Sequence, residues 1–120
     1  MGSEMMEIPD DLAFLEVLGA TPEPSEYDAD VWQVNVQTEN SEPLTLTFDI
    51  GARSVRLTRG AVGEFDVEVY REQVGRLLLY SRGGERGIVV EVDVPSFKCD
   101  LVVAIFPRFR LVDPMLYIGN

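Results

Sequence analysis

The chain contains no histidine. That removes the side chain whose ordinary pKa lies nearest neutrality, and the commonest nitrogen ligand for metals. It also removes every Ser-His and Cys-His arrangement for nucleophilic catalysis. Cys99 stands alone, so no internal disulfide can close. A solitary thiol suits a reducing compartment, and a cytoplasmic location is the expectation. Lys98 precedes Cys99, and a neighbouring cation can lower a thiol pKa, but without histidine the reading is an inert thiol.

Long apolar runs are missing too. None approaches the ~20 residues of a membrane helix; the longest, Leu101–Phe106, has the length of one buried strand. No basic start leads into a long apolar stretch, so no signal peptide is legible. Basic residues are scarce and unevenly placed. The 120 residues carry 10 Lys or Arg against 21 Asp or Glu, a net charge of −11. Residues 1–52 hold twelve of the acids and no base; residues 53–120 hold nine acids and ten bases. Such a field repels nucleic acid phosphates and anionic bilayers and attracts cationic proteins, so neither nucleic acid nor membrane is expected as a partner. Nine arginines against one lysine suggest a GC-rich, bacterial genome.

What the chain has in quantity is alternation. Trp32, Val34 and Val36 alternate with Gln33, Asn35 and Gln37; Leu44, Leu46, Phe48 and Ile50 alternate with Thr45, Thr47 and Asp49. Val55 and Leu57, then Phe65, Val67 and Val69, repeat the pattern about a Gly60–Gly63 hairpin loop. Successive side chains of a strand point to opposite faces, so each segment reads as a half-buried strand. Leu77–Tyr80 is a compact apolar run, Arg82–Gly87 carries the strongest turn signal, and Ile88, Val90, Val92 and Val94 alternate again. Leu101–Phe106 lacks polar partners and is expected to be covered on both faces. Phe109–Leu111 and Met115–Ile118 read as short last strands, Pro95–Asp100 as a loop, and Arg71–Gly75 as a turn or helical turn.

One helix is expected, over residues 9–19. Pro9 suits a first helical position, Asp10 and Asp11 the positive end of the dipole, and Gly19 a stop. Leu12, Leu15 and Leu18 share a face and are expected to pack on the sheet. Thr21–Asp30 reads as a linker. The whole implies one mainly β domain over residues 1–120: an antiparallel sandwich, roll or barrel of six to eight strands, with a short N-terminal helix over an open side or end. Residues 1–7 are either a tag remnant or an extended arm. Trp32, Phe48, Phe65, Val67, Val90, Val103 and Ile105 are the expected core.

Few motifs carry chemistry. Glu64, Asp66 and Glu68 put three carboxylates on one strand face, a weak seat for a hard cation; the plainer expectation is pairing with Arg56 across the hairpin, and no metal or cofactor is assigned. Arg82 and Arg86, spaced about two glycines, resemble the RxxxR element of the PilZ cyclic-dinucleotide receptors. That family's second motif, D/NxSxxG, is not matched by Asp93-Val-Pro-Ser96-Phe-Lys, and the family is not assigned. Phe106-Pro-Arg108-Phe109-Arg110 interleaves rings and cations as single-strand binders do, against a net charge of the wrong sign.

Two function classes fit. The first is a non-enzymatic interaction protein whose acidic face binds a basic protein, as toxin-neutralising immunity-type proteins and nucleic-acid-mimicking inhibitors do. Its candidate contacts are Glu23, Glu26, Asp28 and Asp30 in the first loop and Glu39 and Glu42 in the next turn. The second is a small-molecule-binding β domain with a pocket between sheet and helix. An enzyme ranks third.

Overall fold

The computed structural model describes residues 5–38, 42–94 and 97–112. The chain forms two antiparallel meanders around one core. The first sheet joins β1 (Glu23–Pro24), β2 (Val31–Gln37), β3 (Pro43–Asp49), β4 (Ser54–Arg59) and β5 (Val67–Arg71) in chain order. The second joins β6 (Val74–Arg82), β7 (Glu85–Val94), β8 (Phe97–Phe106) and β9 (Arg110–Val112), again in chain order. Alternation decides the faces as expected. Val34 and Val36, Leu44, Leu46 and Phe48, and Val55 and Leu57 are buried from the first sheet, and Leu77, Ile88, Val90, Val92, Leu101, Val103 and Ile105 from the second. All belong to a single apolar cluster.

Several local expectations are corrected. Residues 71–75 make no helical turn: Arg71 ends β5, and only Glu72 and Gln73 separate it from β6. Gln73 takes φ 61°, and the chain turns the corner between sheets there, tied to both: Val74 N donates to the Arg53 carbonyl and Asp93 N to that of Gln73. The loop expected at Pro95–Asp100 is mostly strand, because β8 starts at Phe97. The linker Thr21–Asp30 contains β1, which pairs Glu23 with Gln33 and Pro24 with Trp32 and brings the described strands to nine. Phe65 is 39% exposed and outside the core. Pairing of β4 with β5 stops at Arg59 and Val67; beyond it Asp66 N bonds the Arg59 carbonyl and Glu64 N that of Ala61, so Phe65 sits in a folded loop. Trp32 and Val67 are half-buried against the core. The strand expected at Met115–Ile118 lies outside the described residues.

The N-terminal segment links the sheets. Met6, 3% exposed, donates its N–H to the Ile50 carbonyl beyond β3, and Glu7 bridges in parallel to Arg76 on β6. Helix α1 (Asp11–Leu18) follows. Its cap is Asp10, whose carboxylate accepts from Ala13 N at 2.8 Å, so Pro9 precedes the cap instead of opening the helix. Gly19, at φ 77°, ends the helix in the left-handed conformation. The buried residues are Phe14 and Leu18; Leu12 and Leu15 are 62% and 51% exposed. At ~100° per residue, the Phe14/Leu18 face is turned about 110° from the Leu12/Leu15 face. Phe14 lies parallel to Phe48 of β3 with centroids 6.0 Å apart, while Arg86 of β7 donates to the Val17 carbonyl at 3.1 Å. The helix thus touches both sheets and closes an open end between them. A cation on its last free carbonyls suits the negative end of the dipole.

Candidate protein-docking surface

The acidic candidates divide between two ends of the first sheet. Glu23, Glu26, Asp28 and Asp30 are all exposed, and among the described residues none is ion-paired with an arginine. The loop that carries them is ordered by its own polar groups. Ser25 Oγ accepts from Tyr27 N at 3.1 Å, Asp28 Oδ1 accepts from Asp30 N at 2.9 Å, and Ser25 N donates to the Val31 carbonyl. Asp28 therefore has a structural task as well as a charge. Glu42 is exposed at the other end of the β2–β3 hairpin, about 20 Å away along six strand residues. It lies near the β4–β5 tip, where the Arg59 pKa is raised chiefly by the hydrogen bond to Asp66 and only slightly by the Glu42 charge. Glu39 lies outside the described residues.

Ile50 connects the acidic loop to the N-terminal arm. Its N–H donates to the Asp30 carbonyl at 2.9 Å, and its carbonyl accepts from Met6 N. The loop acids therefore share one end of the molecule with Met5, Ile8 and α1. Met5, Ile8, Leu12 and Leu15 are exposed there, at 58%, 36%, 62% and 51%. Periodicity placed the leucines in the core. The flanking Asp11 and Glu16 were the signal against that, because each sits four residues from one of these leucines on the same helix face.

The carboxylates of the β4–β5 hairpin are engaged by arginines. Arg59 holds Asp66 through two bonds of 3.1 and 2.8 Å, and Arg56 pairs with Glu68. The register sets Arg56 opposite Tyr70 and not opposite an acid, so the Glu68 pair is diagonal and Arg56 also lies over the Tyr70 ring at 5.0 Å. The hydrogen bond from Arg59 lowers the Asp66 pKa. Glu64 is exposed in the loop, and among the described residues no group of three or more acids or thiols could hold a metal ion. The two arginines of the Arg82–Arg86 spacing do not converge: Arg82 is exposed and lines the hollow on the outer face of the second sheet. Gly83 and Gly84, at φ 60° and 83°, form a two-residue turn joining Arg82 to Glu85. Arg86 points away from this turn, over the Phe106 ring at 4.4 Å and toward α1. Arg59 covers Phe109 at 4.4 Å, so both rings of the Phe106–Arg110 stretch are occupied by the chain's own cations.

A hollow of about 480 Å³ lies on the outer face of the second sheet, lined by Tyr80, Arg82, Glu85, Val89 and Val102. The Tyr80 hydroxyl donates to Glu85 at 2.7 Å, and Arg110 also bonds Glu85. Burial and the adjacent Glu85 carboxylate push the Tyr80 pKa from 10.0 up to about 12, while Tyr80 and Arg110 lower that of Glu85. The raised phenol pKa means the fold favours the neutral form. That contribution is whole below pH 10 and is lost as the pH climbs from 10 to about 12. A spectroscopic titration should show a phenol ionising at about pH 12, and Glu85→Gln should move that step back toward 10.

Compared by sequence, the chain matches no family model and no curated protein. Compared by structure, it is similar to a chain of the contact-dependent growth inhibition toxin–immunity protein complex from Klebsiella pneumoniae 342. The TM-score is 0.76 at 11% identity, over 92% of this chain and 96% of that one. At that identity the likeness is one of fold, and it extends through both meanders and nearly the whole of each chain.

Proposed function

We propose that this chain is a non-enzymatic, immunity-type protein that binds and neutralises a basic protein partner through the acidic end of its sandwich. The observation that carries the reading is the fold shared, over nearly all of both chains, with a component of a toxin–immunity complex. The exposed Glu23, Glu26 and Asp30, which make no ion pair among the described residues, supply a face for a cationic surface. The alternative, a small molecule held between sheet and helix, has less support. Phe14 fills the space between helix and β3, the hollow left between arm, helix and β6 is shallow, and a larger one lies on the outer face of the second sheet.

The test uses the C-terminal domain encoded by the adjacent reading frame. Mixed with this chain it should form a stoichiometric complex, and cells expressing it should survive only when this chain is present. No complex and no protection would overturn the reading, and a thermal-shift screen of metabolites would follow. The electrostatic part has its own measurement. Glu23→Lys, Glu26→Lys and Asp30→Lys together should slow association several-fold at low salt and far less at high salt, as the Debye length falls from about 10 Å at 0.1 M to about 3 Å at 1 M. Asp28 is left in place because its carboxylate holds the loop. An association rate unaffected by both the reversals and the salt would sink a basic partner.

A further inference from the structure

We infer that the exposed face of α1 and its arm is the docking anchor for the partner: Met5, Ile8, Leu12 and Leu15 enter an apolar cleft rimmed by lysine or arginine. This rests on the protein-binding reading above and adds to it the surface and the chemistry that recognises it. Four large apolar side chains crowd into eleven residues of sequence, Met5 to Leu15, and each is at least a third exposed. Isolated apolar residues at a surface are ordinary, but a contiguous group rimmed by charge marks an interaction site. Leu12 and Leu15 are one helical turn apart, the spacing by which a helix anchors in a groove. Ile8 lies on the flank of the helix beside this pair, where it lines with Pro9, Ala13 and Leu78 the shallow hollow between arm, helix and β6.

Charge decides the occupant. Glu7, Asp11 and Glu16 flank the apolar group, Asp30 adjoins it through Ile50, and the last turn of α1 carries no base; Arg76, which lines the hollow beside Ile8, is itself paired with Glu91. A second copy would bring the same acids face to face, with a net charge of −11 on each chain, so self-association is opposed. An anionic bilayer is opposed for the same reason. A cationic rim around an apolar cleft is the complement that remains.

The first probe is a synthetic amphipathic peptide of about 18 residues, five helical turns of leucine and lysine. A serine–lysine peptide of equal charge is its control. Binding of the leucine–lysine peptide should shift the backbone amide resonances of residues 5–16. L12S/L15S should weaken it roughly ten-fold, the scale of a lost interface anchor, while the control binds both proteins alike. The thermal midpoint of L12S/L15S should match the wild type, because both leucines are more than half exposed. Shifts centred on Tyr80 and Val89, equal affinity for wild type and variant, or a dimer formed through this face would overturn the inference. The second probe is the adjacent-frame domain. If it binds wild type and L12S/L15S equally, the anchor is wrong while the immunity-type reading stands. If it binds neither, yet the peptide results hold, the anchor stands and that reading falls.

Discussion

Phe14→Ala should destabilise the fold by about 3–5 kcal/mol, the range for emptying a buried phenylalanine site. Phe14 is 0% exposed and lies flat against Phe48, so truncation removes a stacked ring pair as well as buried area. The cavity would open where the helix joins the two sheets, and collapse is resisted from three sides. Met6 is bonded to Ile50, Arg86 to the Val17 carbonyl, and Leu18 is itself buried. Against a typical total stability of about 5–15 kcal/mol, such a loss brings the domain near its unfolding threshold. Leu15→Ala is the paired measurement. Its side chain is 51% exposed, and the change should stay within about 0.5 kcal/mol in urea unfolding. The reverse order, with Leu15 costly and Phe14 cheap, would mean that α1 is rotated by about a third of a turn from the position described here.

Gly87→Ala should be nearly as damaging, for the opposite reason. A Cβ at this position would collide with the Val103 carbonyl oxygen and stand 2.9 Å from the Ala104 Cα, both backbone atoms of the neighbouring strand. Tyr80 Cε1 would be 3.0 Å away on the other flank. The close approach occurs where β7 and β8 slip register, between Arg86 and Gly87. A methyl group there forces the strands apart in the middle of the sheet, and the expected loss is about 3 kcal/mol or more. Gly83→Ala is the control. Its Cβ meets nothing within 4 Å, and only the φ of +60° penalises it, so the loss should be about 1 kcal/mol. Denaturant midpoints that fall in this order at unchanged slope would support the geometry. A Gly87→Ala protein as stable as the wild type would show that the strands do not come that close.

Strands, faces and turns were legible in the chain wherever period-two alternation met glycine or a polar cluster. Val34, Leu46, Leu57 and Val90 sit where alternation placed them, because a half-buried strand has only two faces and water selects between them. The Gly83-Gly84 turn was legible because only glycine takes two successive positive φ values at no steric cost. The short strand Glu23–Pro24 was not, since two residues carry no period; it exists because Gln33 and Trp32 offer an edge. The acids of residues 23–30 could be counted but not located. Their nearness to Met5 and α1 depends on Ile50 bonding Asp30 on one side and Met6 on the other, a contact across some forty residues of chain.

The sequence by itself determined a mainly β, antiparallel fold with a short N-terminal helix, a histidine-free chemistry and a first stretch of 52 residues without a base. Each of these follows from residue type and local spacing, which no fold can alter. Only the tertiary structure decided which side of α1 is buried. Leu12, Leu15 and Leu18 and the pair Phe14 and Leu18 are both acceptable apolar stripes at helical period. The ring of Phe48, the Arg86 bond to Val17 and the arm laid between the sheets select the second. That selection leaves Leu12 and Leu15 in water, at the end of the molecule where Ile50 brings the loop acids of residues 23–30 up to the N-terminal arm.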